Sequence, residues 1–124
     1  MFSKFFPDSE QKKGSSDVFK SKSRVIGYGA GLMLREEVFP KGMVIPVHSH
    51  YHEQISYVAS GSMICSLDDG SEMTLKAGEC AYFGPYEKHG LVFLEDTAVI
   101  DAFTPIRLDH LEQKVFYAQD TDKE

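Results

Sequence analysis

From Val18 onward, apolar and polar residues alternate in short runs broken by glycine, proline and acidic turns. Alternation with a period of two marks a strand with one buried face. Residues 22–28 (KSRVIGY) form one such run, and LMLREEVF, after Gly29 and Gly31, a longer one in which Leu32, Leu34 and Val38 mix with charges. Pro40, Lys41 and Gly42 make a turn. Residues 43–47 are short and extended, and Pro46 puts them at an edge or bend. The next strand runs through the histidines to Ala59 and closes at Ser60 and Gly61. MICSL and EMTLK flank Asp68, Asp69 and Gly70, a hairpin signal. Ala77 and Gly78 turn into ECAYF, the loop Gly84 to Glu87 leads to His89, and LVFL and TAVIDAF are split by Glu95 and Asp96. About nine short strands with a turn every eight to ten residues or so predict an all-β sandwich or small barrel. The helical signal is confined to IRLDHLEQ after Pro105, a short C-terminal helix.

Length and charge narrow the picture. A chain of 124 residues is one domain, and 42% hydrophobic content suits a globular one. The expected organisation is an N-terminal arm over 1–16, flexible or lying on the surface, then the domain over 17–118 and a frayed acidic tail over 119–124. Phe2, Phe5 and Phe6 in the arm are expected to pack on the domain or on a second subunit. A net charge of −6 weighs against nucleic acid or an anionic membrane surface as partner. It leaves room for a small anionic substrate, because a local arginine or metal can reverse the field inside a pocket. The opening run is interrupted by Lys4 and Pro7 and lacks the apolar core of a signal peptide. No stretch has the length of a membrane span, so a cytoplasmic protein is expected. Cys65 and Cys80, both in alternating apolar runs, are expected to be reduced core thiols.

Candidate chemistry gathers in GMVIPVHSHYHEQISYVASG, residues 42–61, which holds three of the five histidines. If residues 47–59 are extended, His48, His50, His52 and Gln54 face one way. Converging neutral imidazoles suit a divalent Zn, Ni, Fe or Mn ion. The His-x-His core alone is equally a chance surface cluster.

The spacings around it resemble the two motifs of the cupins, small β-barrels of the jelly-roll class. Gly42, His48, His50, Gln54 and Gly61 fall at the steps of the first motif, with Gln where Glu is usual. Gly78 and His89 fall at the steps of the second. Its proline is displaced to Pro85, Tyr86 stands where glycine is usual, and Phe93 where asparagine is usual. The resemblance implies a single-domain barrel with a metal held by His48, His50, Gln54 and His89. Gln54 offers a neutral oxygen, so the site keeps one more positive charge than with Glu and is the stronger Lewis acid. His52 is then a neighbour of the ligands or a substrate contact, Glu53 points away, and His110 lies exposed on the helix.

Residues 97–107 (TAVIDAFTPIR) put Val99, Asp101 and Phe103 on one face and Ala98, Ile100 and Ala102 on the other. Either face could be the inner one, and Arg107 taken alone reads as a surface charge. With the histidine stretch, however, VIDAFTPIR resembles the KdgF-type cupins of pectin degradation, which open the ring of 4,5-unsaturated uronates. That resemblance implies that Asp101 is the catalytic acid/base and that Phe103 and Arg107 bind the sugar acid. Two rival readings are a non-haem iron dioxygenase of the cupin type and a cupin that binds a small ligand without chemistry. Pairing of cupins through a barrel face or N-terminal strand implies a homodimer.

Overall fold

The computed structural model describes residues 5–7, 11–16 and 21–108, with the backbone alone for 12–16. Ten strands run through the described residues: β1 (Lys12–Ser16), β2 (Ser21–Tyr28), β3 (Met33–Phe39), β4 (Val44–His48), β5 (Glu53–Ser60), β6 (Ser62–Leu67), β7 (Glu72–Lys76), β8 (Cys80–Phe83), β9 (His89–Phe93) and β10 (Thr97–Thr104). They form two antiparallel sheets, a six-stranded one in the order β1-β2-β3-β10-β5-β8 and a four-stranded one in the order β4-β9-β6-β7. The strand-rich, turn-punctuated pattern of the sequence is thus an all-β barrel of two facing sheets. The expected helix lies outside the described residues from residue 109 on, as does His110.

Three local expectations change. Residues 12–16, expected within the arm, pair with β2 as an edge strand. Cys65 is buried, but Cys80 is exposed on edge strand β8, and both thiols are free. The histidine stretch is not one strand. β4 ends at His48 in the four-stranded sheet, residues 49–52 cross over, and β5 begins at Glu53 in the other sheet. Pro46 does sit on an edge strand, where the register shifts between Ile45 and His48. A missing N–H is tolerated there because the ladder is already broken.

The main core lies between the sheets and includes Phe39, Val58, Met63, Phe83, Phe93 and Val99. Phe39 of β3 stacks on Phe93 of β9 across the gap, 4.1 Å between ring centroids. Such a pair is worth about 1 kcal/mol beyond the area it buries. A smaller cluster of Val25, Met33 and Phe103 sits apart from it. Between the two clusters the interior turns polar.

That polar interior comes with an inverted alternation. On β3, Arg35 and Glu37 point inward with Met33 and Phe39, while Leu34 and Val38 are 40% and 43% exposed. On β5, Gln54, Ser56 and Val58 point inward, and Ile55 and Tyr57 outward. β10 is the middle of this sheet, paired with β3 on one side and β5 on the other. It buries Val99, Asp101 and Phe103. In register, Asp101 stands between Arg35 and Ser56, and Phe103 between Met33 and Gln54.

Candidate metal centre and the pocket beside it

His48, His50 and His89 converge from separate pieces of backbone. His48 ends β4 and is the direct cross-strand partner of His89, which opens β9. His50 comes from the crossover. All three are buried, and each can offer a ring nitrogen within 4.8 Å of the others.

Backbone carbonyls orient all three rings. The Nδ1 of His48 lies 2.9 Å from the Pro46 oxygen, that of His50 3.0 Å from the His52 oxygen, and that of His89 2.8 Å from the Glu87 oxygen. A carbonyl can only accept, so each Nδ1 carries the proton. In a neutral ring the lone pair is then at Nε2, the tautomer that a metal needs. Burial keeps these rings neutral and pushes their pKa values down, to about 3 for His50 and about 4 for His89, with His48 lowered as well. After burial, the positive charge of Arg107 is the next cause for His50, and His48 is the next for His89. Phe83 stacks flat on His89, 4.0 Å between centroids, and fixes the ring plane from the opposite sheet.

Two details test whether a cation fits. The Nε2 of His89 is buried with no hydrogen-bond partner among the described residues. Leaving such an atom unsatisfied costs about 1–3 kcal/mol. The Nε2 of His50 and the Oε1 of Gln54 stand 2.8 Å apart. With Nδ1 of His50 already donating, both of these atoms are lone-pair acceptors, and they repel unless a cation lies between them. Neighbouring ligands bound at about 2.1 Å are roughly 3 Å apart in octahedral geometry, so the spacing suits a shared ion. These groups line a cavity of ≈ 20 Å³, about the space of one water or ion. The three-histidine cluster thus fits a metal ion.

Gln54 turns its other end toward a carboxylate. Its Nε2 donates to Ser56 Oγ at 2.8 Å and to Asp101 Oδ1 at 3.2 Å, and Ser56 Oγ donates to the same Asp101 oxygen at 2.5 Å. Of the two faces open for β10, Asp101 therefore lies on the inner one. Burial raises its pKa, while the charge of Arg35 and the Ser56 hydrogen bond pull it back. Arg35 itself is paired with Glu37, which also accepts from Ser21. Arg107 is not a surface charge. It is 2% exposed, with its guanidinium carbon 5.4 Å from the centroid of the Phe103 ring.

The structure thus brings every sequence-derived site residue (His48, His50, Gln54, His89, Asp101, Phe103 and Arg107) to the lining of one cavity. His52 is buried beside it, 5.6 Å from the His50 ring and 6.4 Å from Phe103 between centroids, and Glu53 is exposed. Sequence reasoning missed Arg35, Glu37 and Ser56. The available signal was parity: Arg35 and Glu37 share a face with Met33 and Phe39, and Ser56 shares one with Gln54 and Val58.

Comparison with known proteins supports the same relationship. Residues 35–102 match the cupin domain family. The chain is 38% identical over 92 residues to the pectin degradation protein KdgF of Dickeya dadantii, covering 73% of this chain and 83% of that one. The solved structure of KdgF from Halomonas sp. superposes with a TM-score of 0.77 at 30% identity, covering 86% of this chain and 98% of that one. An RmlC-like cupin from Shewanella frigidimarina gives 0.78 at 30% identity, over 88% and 97%.

Proposed function

The chain belongs to the cupin family, and on that premise we propose that it is a metal-dependent enzyme that opens and ketonises 4,5-unsaturated uronate monosaccharides released from pectin or alginate. The observation that carries this reading is the buried Asp101, held by Gln54 and Ser56 beside the three histidines. The relative named for pectin degradation supplies the substrate class.

In this reading His48, His50, Gln54 and His89 hold a divalent ion drawn from Ni, Zn, Fe or Mn. When bound, it supplies Lewis acidity and an anchor for the sugar's oxygens. Arg107 meets the uronate carboxylate with its planar fork. Phe103 covers the sugar ring and keeps water out. Asp101 takes the proton of the anomeric hydroxyl as the C1 carbonyl forms and the bond from C1 to the ring oxygen breaks. The oxygen left on C5 is an enol oxygen. As C5 becomes a ketone, the proton is returned to C4, so the reaction is an isomerisation without a co-reactant. One buried carboxylate can serve both transfers.

The test incubates the metal-loaded protein with unsaturated galacturonate in D2O and follows the NMR spectrum. Loss of the C4 vinyl proton with deuterium gained at C4 is expected. Asp101→Asn, assayed at saturating metal, should slow turnover at least about 100-fold. Full activity in that variant would sink the acid/base assignment.

A homodimer is part of the proposal. The outer surface of the six-stranded sheet exposes Leu34, Val38, Ile55, Tyr57 and Tyr82, a contiguous apolar face of the kind that second copies cover. The proposed compartment is the cytoplasm, where free Cys65 and Cys80 stay reduced.

A further inference from the structure

The amide of Gln54 has two different ends in two different environments. Its oxygen stands 2.8 Å from His50 Nε2, and its nitrogen lies 2.8 Å from Ser56 Oγ and 3.2 Å from Asp101 Oδ1. Ser56 donates its one hydroxyl proton to Asp101, so it can only accept from Gln54. Through these three groups the donors run toward the Asp101 oxygen, and the Gln54 oxygen is left facing His50. Ser56 is 0% exposed and is the direct cross-strand partner of Asp101, so no solvent can replace these bonds.

The geometry points to Gln54 as a two-sided ligand, an amide matched to Asp101, with Ser56 and Asp101 acting as positioning residues that hold its oxygen toward the metal. An amide is the group that can do this. A glutamate in its place would put a second carboxylate oxygen about where the Gln54 nitrogen now donates, against the Asp101 oxygen. Either the two carboxylates would repel, or they would share a proton and take Asp101 out of use as a base. Reversing the amide would fail differently, by presenting N–H groups to the metal and an oxygen to Asp101. The identity of residue 54 is therefore coupled to that of residue 101. This inference rests on the metal site of the function proposed above, but not on its substrate.

Metal affinity alone tests it. The Ni(II) dissociation constant of the full chain would be measured by competition with a chromophoric chelator, for the native protein, Gln54→Glu, Asp101→Asn, the double variant and Ser56→Ala. The absorption of Co(II)-loaded samples would report the ligand set independently. In Gln54→Glu/Asp101→Asn the acid and amide are exchanged, and the asparagine can donate to the new carboxylate. The change Gln54→Glu should be at least tenfold more favourable for Ni(II) when residue 101 is Asn than when it is Asp. Ser56→Ala should weaken Ni(II) about tenfold and shift the Co(II) bands, since partners of metal ligands typically carry 10–100-fold in affinity. Effects at 54 and 101 that multiply to within twofold would overturn the coupling, and native Ni(II) affinity with an unchanged Co(II) spectrum in Ser56→Ala would overturn its positioning role. Tight native binding with an independent pair sinks this inference alone, and a native chain that binds no Ni(II) sinks the metal site with it. Because no uronate is used, failure of the substrate assignment leaves the result intact.

Discussion

Gly61 turns the chain from β5 in one sheet to β6 in the other, and its replacement by alanine should damage the barrel more than any comparable glycine change. Two penalties add there. Gly61 has φ +88°, a left-handed conformation that costs a residue with a Cβ about 1–2 kcal/mol. A Cβ would also lie 2.5 Å from the Asp96 carbonyl oxygen, 2.5 Å from Thr97 Oγ1 and 2.8 Å from Thr97 Cα. Two of these atoms are backbone. The third is locked, because the fully buried Thr97 hydroxyl donates to the carbonyls of Ser62 or Glu95, at 3.1 and 2.8 Å. Overpacking of this kind costs about 1–3 kcal/mol, so Gly61→Ala should lose roughly 2–5 kcal/mol in all. Gly78 is the internal control. It has φ +94°, but a Cβ there meets nothing within 4 Å among the described residues. Gly78→Ala should lose only the conformational part, about 1–2 kcal/mol. Equilibrium urea unfolding of both variants, without metal so that ligand linkage does not intrude, gives the comparison, and thermal midpoints should fall by about 4 °C per kcal/mol for a domain of this size. Equal midpoints for the two variants, with unchanged slopes, would refute the steric half of the account.

Two further outcomes follow from the site and its loop. The histidines stay neutral in the folded chain well below their ordinary value of 6.5, with His50 near 3 and His89 near 4. Unfolded, they protonate as the pH drops through 6.5. The unfolded state then binds more protons, so the metal-free protein should lose stability from pH 6.5 toward pH 4, by up to about 1.4 kcal/mol per pH unit per histidine. Asp101, shifted upward, works in the opposite sense, but as one group against three. A urea midpoint that is flat or higher at pH 5 than at pH 7.5 would contradict this. Tyr86, where cupins usually have glycine, adopts φ 58°. Tyr86→Gly should relieve that strain and stabilise the protein by up to about 1 kcal/mol, part of the relief being offset by the entropy of the unfolded glycine. A loss of stability would mean that the Tyr51–Tyr86 ring contact, 6.1 Å between centroids, outweighs the strain.

The sequence was legible where local chemistry repeats and opaque where tertiary packing overrides it. Strands β2 to β10 follow from alternation and turn residues, because both are properties of a few neighbouring residues. The shared inward sense of His48, His50 and Gln54 matches the structure, but one strand is not the reason. His48 and Gln54 belong to different sheets, and a four-residue crossover, 49–52, happens to preserve the inward sense. Periodicity cannot distinguish a continuous strand from two joined by such a corner. Arg35 and Glu37 were invisible because two charges in an alternating run normally mark the wet face. Here they face inward as an ion pair, and the apolar Leu34 and Val38 face out. Arg107 and Asp101 are also buried; Asp101 keeps step with Val99 and Phe103, but which face of that strand is inner, and the role of Arg107, came only from the family resemblance. The lone signal of that inversion in the sequence is Met33 and Phe39, which keep step with the charges.

The position of β10 has a consequence for how the protein comes to exist in time. It is the last of the described strands to be synthesised, yet it lies in the middle of its sheet. Until residues 97–104 emerge, β1-β2-β3 and β5-β8 are two separate fragments with raw edges, and Asp101 has not arrived. Pairing between strands so far apart in sequence is slow, because the loop entropy must be met before the contacts form. A nascent chain can therefore gather His48, His50 and His89 before the acid arrives, but Asp101 and its sheet are completed in one late step. During that interval the unpaired edges of β3 and β5 are the chain's main exposure to aggregation.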